Sequence, residues 1–364
     1  QVFLPAGAAP ASEVRAAADA AELENAAVSE AAGYTVLERS GALPGSASWT
    51  HLLGGIAQTG KSDDQRVKLP LGLLWFGGNS NADVLPRHGH GPSEQVLGGR
   101  LFIQGVNCMS ARDVYTGRVL WKRELEGLDT FGIYYDESYE VNPTSTAYNQ
   151  EHIPGANIRG TNFVVTEDRV YVVESDRCRM LDTVTGETLG TLTLPPAEPG
   201  TETAPRWGYL GVYRDTLLGG ADFVRFSEML PDYKSEDPVW EDFDNSASKR
   251  LVALDRDTHE LRWQVAARAA FLHNGIAAGA GRVFCLDKAP PHVAGLLRRR
   301  GLEAGETARL LALDVESGET VWKNTERAFG SFLNYSQEHD ILLQATRPSR
   351  DQVRGEHGRR MVAF

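Results

Sequence analysis

The chain has 364 residues, 41% of them hydrophobic, and a formal net charge of −12. That length suits one large repeat unit with a small appendage. The negative balance excludes nucleic acid or an anionic bilayer held by bulk electrostatics, and no apolar run reaches the length of a membrane-spanning helix.

The first 44 residues read as a short α/β segment. Residues 1–5 are strand-like and 34–37 form a second strand, closed off by Gly41 and Pro44. Between them, 11–32 is rich in Ala and Glu and free of Gly and Pro, which predicts one helix.

From there on, one phrase recurs: an apolar strand, an Asp-led turn and a returning strand. Asp113-Val114-Tyr115-Thr116-Gly117 leads to Trp121, Asp255-Arg256-Asp257-Thr258-His259 to Trp263, and Asp314-Val315-Glu316-Ser317-Gly318 to Trp322. The copy at Asp182-Thr183-Val184-Thr185-Gly186 has Gly190 where the others have Trp. Asp binds backbone two residues on, and Gly tolerates the positive φ that closes the turn. His259 therefore predicts a strained or altered turn. A loop and an apolar pair precede each hairpin, at Leu101-Phe102, Val170-Tyr171, Leu217-Leu218, Val283-Phe284 and Ile341-Leu342. Each pair has a further β-like stretch upstream. Two strands plus two strands make a four-stranded meander, the blade of a β-propeller.

Complete blades are expected over about 92–125, 161–194, 208–267 and 274–326, the last two carrying insertions at 228–245 and 288–306. A fifth starts near Phe332, where Arg360-Met361-Val362-Ala363-Phe364 matches Arg250-Leu251-Val252-Ala253-Leu254. Trp49-Thr50-His51 and Leu71 to Phe76 read as the outer strand of a sixth blade. The expectation is a partial ring and a longer parent protein, with exposed sheet faces that call for a partner.

The phrase resembles the pyrroloquinoline-quinone-like (PQQ-like) β-propeller repeat of quinoprotein alcohol dehydrogenases and of the outer-membrane assembly lipoprotein, over residues 45–364. The fold expected is therefore all-β: a partial ring of four-stranded PQQ-like blades behind a short α/β segment. Residues 1–44 resemble the end of a class I methyltransferase-like domain, as in planctomycete-type propeller proteins. The resemblance implies an extracytoplasmic location. It leaves three readings open: a non-catalytic binding or scaffold module, a quinoprotein-type oxidoreductase using PQQ and calcium, and a propeller fused to a SAM-dependent methyltransferase. In the dehydrogenases the quinone lies between a Trp and a disulfide of adjacent cysteines, beside calcium and a catalytic Asp. Here Cys108, Cys178 and Cys285 are far apart, and buried free thiols are their ordinary reading, with a disulfide open in an oxidising compartment.

Aligning the inner strands places His90, Arg159, Arg206, Trp207, His273 and Asn274 together at one channel mouth, where a cofactor, a small molecule or a partner protein would bind. His88 and His90, two apart on extended backbone, suit a metal ion, although imidazoles capping backbone groups are commoner. Arg159 and Arg206 suit an anion, and Trp207 suits a ring. The Asp of each turn reads as structural because it recurs. No Ser-His-Asp set, paired carboxylates or phosphate loop stands out.

Overall fold

The computed structural model describes residues 1–78, 83–85, 93–128, 162–198, 200, 203–224, 246–289, 294, 297–302, 308–346 and 360–364. The N-terminal unit is β1 (Val2–Pro5), α1 (Ala11–Ala20), β2 (Ala26–Ala31) and β3 (Tyr34–Arg39). β3 lies in the middle, antiparallel to both neighbours. The helix expected over 11–32 stops at Ala20, because Glu22 and Asn25 take positive φ (49° and 57°). Residues 26–31 instead pair with 34–39 around a turn at Ala32 and Gly33. Helix propensity is worth only tenths of a kcal/mol per residue, and a paired hairpin overrides it.

The remainder is a succession of antiparallel meanders. The first blade is β4 (Gln95–Leu97), β5 (Arg100–Gly105), β6 (Cys108–Asp113) and β7 (Val119–Glu124). The second is β8 (Phe163–Val165), β9 (Arg169–Glu174), β10 (Arg177–Asp182) and β11 (Thr188–Thr193). In both, spatial order follows chain order. The third begins with β12 (Trp207–Tyr213), β13 (Thr216–Phe223) and β14 (Ala247–Asp255). It shares β15 (Leu261–Gly279) with the fourth, which continues through β16 (Arg282–Asp287), β17 (Arg309–Asp314) and β18 (Thr320–Asn324). The fifth comprises β19 (Phe332–Ser336), β20 (Ile341–Ala345) and β21 (Met361–Ala363).

β15 is one strand with two roles. Its start pairs with β14 as the rim of blade three, and its end pairs with β16 as the innermost strand of blade four. Asp287 pins the crossing. Its carboxylate accepts the backbone N–H groups of Arg268, Ala269 and Ala270 at 2.8, 2.8 and 2.9 Å. Arg309 Nε completes the set at 2.6 Å, and the Asp287 side chain is wholly buried. Burying a carboxylate is tolerable only with such a full set of donors.

The core lies in the seams between blades. Phe102, Met109 and Trp121 of blade one interdigitate with Phe163, Val170 and Leu181 of blade two. Tyr171, Cys178 and Leu192 meet Trp207, Leu217 and Val252 in the next seam. Leu251 and Trp263 meet Val283 and Leu311 in the third, and Phe284 and Leu310 meet Leu333 and Tyr335 in the fourth. Both faces of blades two, three and four are thus covered, which is why their middle strands are apolar on successive residues.

The repeated turn and the repeated Trp are halves of one joint. In each turn the Asp carboxylate accepts two backbone N–H groups, as Asp182 does from Val184 and Thr185 at 2.9 and 2.7 Å. The Trp of one blade lies over the turn Gly of the next. A Cβ on Gly186 would sit 2.5 Å from Trp121, and one on Gly318 would sit 2.7 Å from Trp263. The indole N–H then donates to the carbonyl just after the Asp: Trp121 to Thr183 at 3.1 Å, Trp263 to Val315 at 2.7 Å.

This joint explains the two exceptions in the repeat together. Blade two has Gly190 in place of Trp, so no indole covers the next turn, and that turn carries His259 in place of Gly. The equivalent carbonyl, Arg256 O, is taken by Arg169 Nη1 at 2.7 Å, while Arg256 pairs with Asp168 at 3.1 Å. His259 holds the turn shape at φ 63°, with its N–H on Asp255 O at 2.9 Å. The strain is real, because left-handed backbone costs a side chain about 1 kcal/mol. His259→Gly is therefore expected to raise the urea midpoint, by about 1 kcal/mol of stability. An unchanged midpoint would mean that the imidazole's packing offsets the strain.

Candidate functional site

The first strands of the blades, β4, β8, β12, the second half of β15, and β19, face one common element. That element is residues 49–58. Trp49 exchanges backbone hydrogen bonds with Val96, and Thr50 O accepts from Val165 N at 3.4 Å. His51 Nε2 accepts from Val212 N at 3.1 Å. Ile56 O accepts from Ala278 N at 3.2 Å, and Ala57 O from Tyr335 N at 2.9 Å. One segment therefore touches the inner strand of all five blades. Trp49, Thr50 and His51 are not part of an outer strand, as their spacing suggested, but of a strap across the channel. Most of its bonds fall near the ends of the inner strands, opposite the predicted mouth. The strap thus crosses the inner strands at the end away from the predicted mouth.

His51 is the buried pin of that strap. Its Nδ1 lies 2.9 Å from Thr50 Oγ1, so the ring carries its hydrogen there and leaves Nε2 to accept. Burial lowers its pKa to about 3 from 6.5. Since the folded value lies below the unfolded one, the unfolded chain takes the proton first. The stability from neutral His51 is complete above pH 6.5 and is lost progressively as pH falls toward 3. The expected loss at pH 5 is about 2 kcal/mol. His51→Gln, which can keep an acceptor toward Val212, should flatten the change in urea midpoint between pH 7.5 and 5. An equal slope in the variant would remove His51 as its source.

At the predicted mouth, four of the predicted site residues are among those described. Arg206 is exposed, with its guanidinium 5.1 Å from the centre of the Phe223 ring. His273 is buried, its Nε2 2.9 Å from Ser248 Oγ, with the rings of Tyr209 and Phe223 at 6.3 and 6.0 Å. Asn274 contributes its backbone, its carbonyl accepting from Gln58 Nε2 of the strap at 3.3 Å. Trp207 departs from the expectation. It is 1% exposed and lies in the seam over Gly219, packed with Leu194 and Leu210. Side chains alternate along a strand, and one position decides between channel and seam. His88, His90 and Arg159 lie outside the described residues. The anion site read from Arg159 and Arg206 is thus represented by Arg206 alone among the described residues.

Arg206, Tyr209, Phe223, Ser248 and His273 form one cluster on blade three and the start of blade four. Ser248, Tyr209, His51 and Gln58 were not singled out by the sequence. The signal that could have found Ser248 is glycine. A Cβ on Gly208 or on Gly220 would fall 2.3 Å from Ser248 Oγ, so two neighbouring strands are kept bare around it. Burial raises the Tyr209 hydroxyl above its usual range. The three cysteines are buried and free, on β6, β10 and β16. Burial pushes the Cys108 thiol up to about 11 and moves Cys178 and Cys285 in the same direction. None is a ready nucleophile. Among the described residues, no three of His, Cys, Asp and Glu come together to hold a metal, and no helix is long and apolar enough to cross a membrane.

One sequence comparison agrees with the repeat. The sequence profile of a PQQ family described as outer membrane protein assembly factor BamB matches residues 243–349. No curated protein matches the chain. Among solved structures, the quinohemoprotein alcohol dehydrogenase of Comamonas testosteroni is 14% identical, with a TM-score of 0.49 over 82% of this chain and 44% of that one. BamB from Moraxella catarrhalis is 12% identical, with a TM-score of 0.37 over 69% and 58%. A europium-containing methanol dehydrogenase is 11% identical, with a TM-score of 0.46 over 82% and 52%. The chain spans less than two thirds of the length of each. The profile match falls on β14 through β20, the run of strands in which the Asp turn and its Trp occur in both blades, and it marks this stretch as PQQ-like propeller repeat.

Proposed function

We propose that the chain is a PQQ-like β-propeller module acting as a non-catalytic binding or scaffold unit. The observation that carries this reading is how the described mouth residues are used by the fold. His273 is bonded to Ser248, the carbonyl of Asn274 to the strap, and Trp207 is spent in a seam. Among the described residues, the mouth offers outward the Arg206 guanidinium on Phe223, a surface suited to an acidic or aromatic group of a protein or small ligand. The match to an assembly-factor profile agrees with a protein partner.

The quinoprotein reading requires PQQ and calcium, and the described residues do not fit them. The mouth Trp has no free face, the cysteines are single and scattered, and no three of His, Cys, Asp and Glu among these residues come together to hold a metal. No catalytic step is derived through the quinone. The test is a titration with PQQ and calcium, read by tryptophan fluorescence and dye-linked alcohol oxidation. No saturable quenching up to tens of micromolar and no turnover are expected. Saturable quenching with turnover would make the protein a quinoprotein oxidoreductase and overturn the proposal.

Residues 1–44 are proposed as a separate unit, the closing elements of a methyltransferase-like domain. Support comes from the strand, helix and hairpin order, with β1 and β2 flanking an antiparallel β3. An extracytoplasmic location is proposed on the repeat alone.

A further inference from the structure

Among blades one to four, blade two has the bare rim. Its outer strand β11 reads Thr188-Leu189-Gly190-Thr191-Leu192-Thr193, without a charged residue, a Pro or the Trp of the repeat. The other rim strands carry charge: Lys122, Arg123 and Glu124 on β7, Arg262 at the start of β15 and Lys323 on β18. Charge commonly guards a sheet edge, because a second edge cannot approach without desolvating it. β11 pairs with β10 on one side and with no strand on the other among the described residues. Thr188, Leu189, Thr191 and Thr193 are exposed, and Leu189 is an apolar side chain 54% in water.

The strand is suited to meet itself. Residues opposite each other in a ladder share a face, so an antiparallel pair about a two-fold axis sets each position against one of the same parity. With Thr191 on the axis, Thr191 meets Thr191, Leu192 meets Gly190 and Leu189 meets Thr193 of the other copy. A Thr pair across two strands is favourable. Gly190 stands where the other blades carry Trp, and its bare backbone leaves room beside Leu192. No like charges are brought together. Arg179, opposite Thr191 on β10, is already neutralised by Glu174 at 2.8 and 2.9 Å. Pro195 bounds the ladder, because it lacks the N–H that further pairing would use.

We propose that β11 pairs antiparallel with β11 of a second copy of this chain, joining the four-stranded sheets of two second blades into one continuous sheet. A strand this short buries less than a standard interface, so the dimer forms at high concentration and dissociates on dilution.

Sedimentation of the unmodified chain should show dimer at about 100 µM and monomer at about 1 µM. Thr191→Lys sets two like charges against each other on the axis and should leave monomer at both concentrations. Thr191→Val, which keeps the β-branched shape, should retain the dimer and so separates loss of pairing from loss of fold. A monomeric unmodified chain at the higher concentration overturns the proposal, as does a dimer that survives Thr191→Lys. Disulfide trapping reads the register, and the three native cysteines are buried and stay out of it. Thr191→Cys protein, oxidised, should give a linked dimer. Thr193→Cys, whose two copies stand about 13 Å apart along the strands, should give about tenfold less. Equal yields, or a link from neither, overturn the pairing.

Discussion

Asp287→Asn should cost about 3–5 kcal/mol, the largest loss expected from any single substitution considered. The carboxylate binds three consecutive backbone N–H groups of β15 and the Arg309 guanidinium. The amide presents N–H to donors and leaves Arg309, only 15% exposed, without its counter-charge. Removing one member of a buried pair is costly because the other stays desolvated. A second consequence is structural. The bonds of Asp287 hold the place where β15 leaves the rim of blade three for the axis of blade four, so both blades should loosen together. Urea unfolding followed by far-ultraviolet circular dichroism checks the size. Adding Arg309→Met to Asp287→Asn should recover part of the loss, and a single-variant loss under about 1 kcal/mol would refute the pin.

Gly186→Ala is expected to cost about 3 kcal/mol, from two separable sources. The residue sits at φ 70°, which costs Ala about 1 kcal/mol. The new methyl group would also lie 2.5 Å from Trp121 and push the indole off Thr183 O. A double-mutant cycle isolates the second source. In a Trp121→Ala background the same Gly186→Ala change should cost only about 1 kcal/mol, because the ring it strikes is gone. Equal costs in both backgrounds would show that the seam does not depend on the stacked joint. Both measurements bear on function through architecture, since the seams set where the inner strands and the residues 49–58 that bond them stand.

The blades were legible because their code is local. An Asp that caps its own turn, a Gly two or more residues on and an alternating apolar strand all lie within one hairpin, so the expected blade spans match the observed strands closely. The errors came where residues outside the segment itself decide. Residues 26–31 read as helix from their own composition, but the partner strand at 34–39 made them β. Trp49, Thr50 and His51 look like a strand of any blade, and only the five inner strands that bond them reveal a strap. Arg206 and His273 both lie beside the Phe223 ring, because the starts of the inner strands share a register. Trp207 does not, because the neighbouring position on the same strand faces a seam. Gly190 and His259 were visible as two separate irregularities in the repeat.

The sequence by itself determined the all-β class, the four-stranded unit, its repeat and its turns, since each rests on chemistry between residues a few positions apart. Tertiary structure alone decided that Gly190 and His259 are one adaptation, that Arg169 replaces a missing indole, that Asp287 pins β15 and that residues 49–58 cross the inner strands. Each of those joins groups from different blades or from strands tens to hundreds of residues apart. No local pattern encodes such a meeting, because it exists only once the sheets have packed face to face and brought their buried donors and acceptors within hydrogen-bond reach.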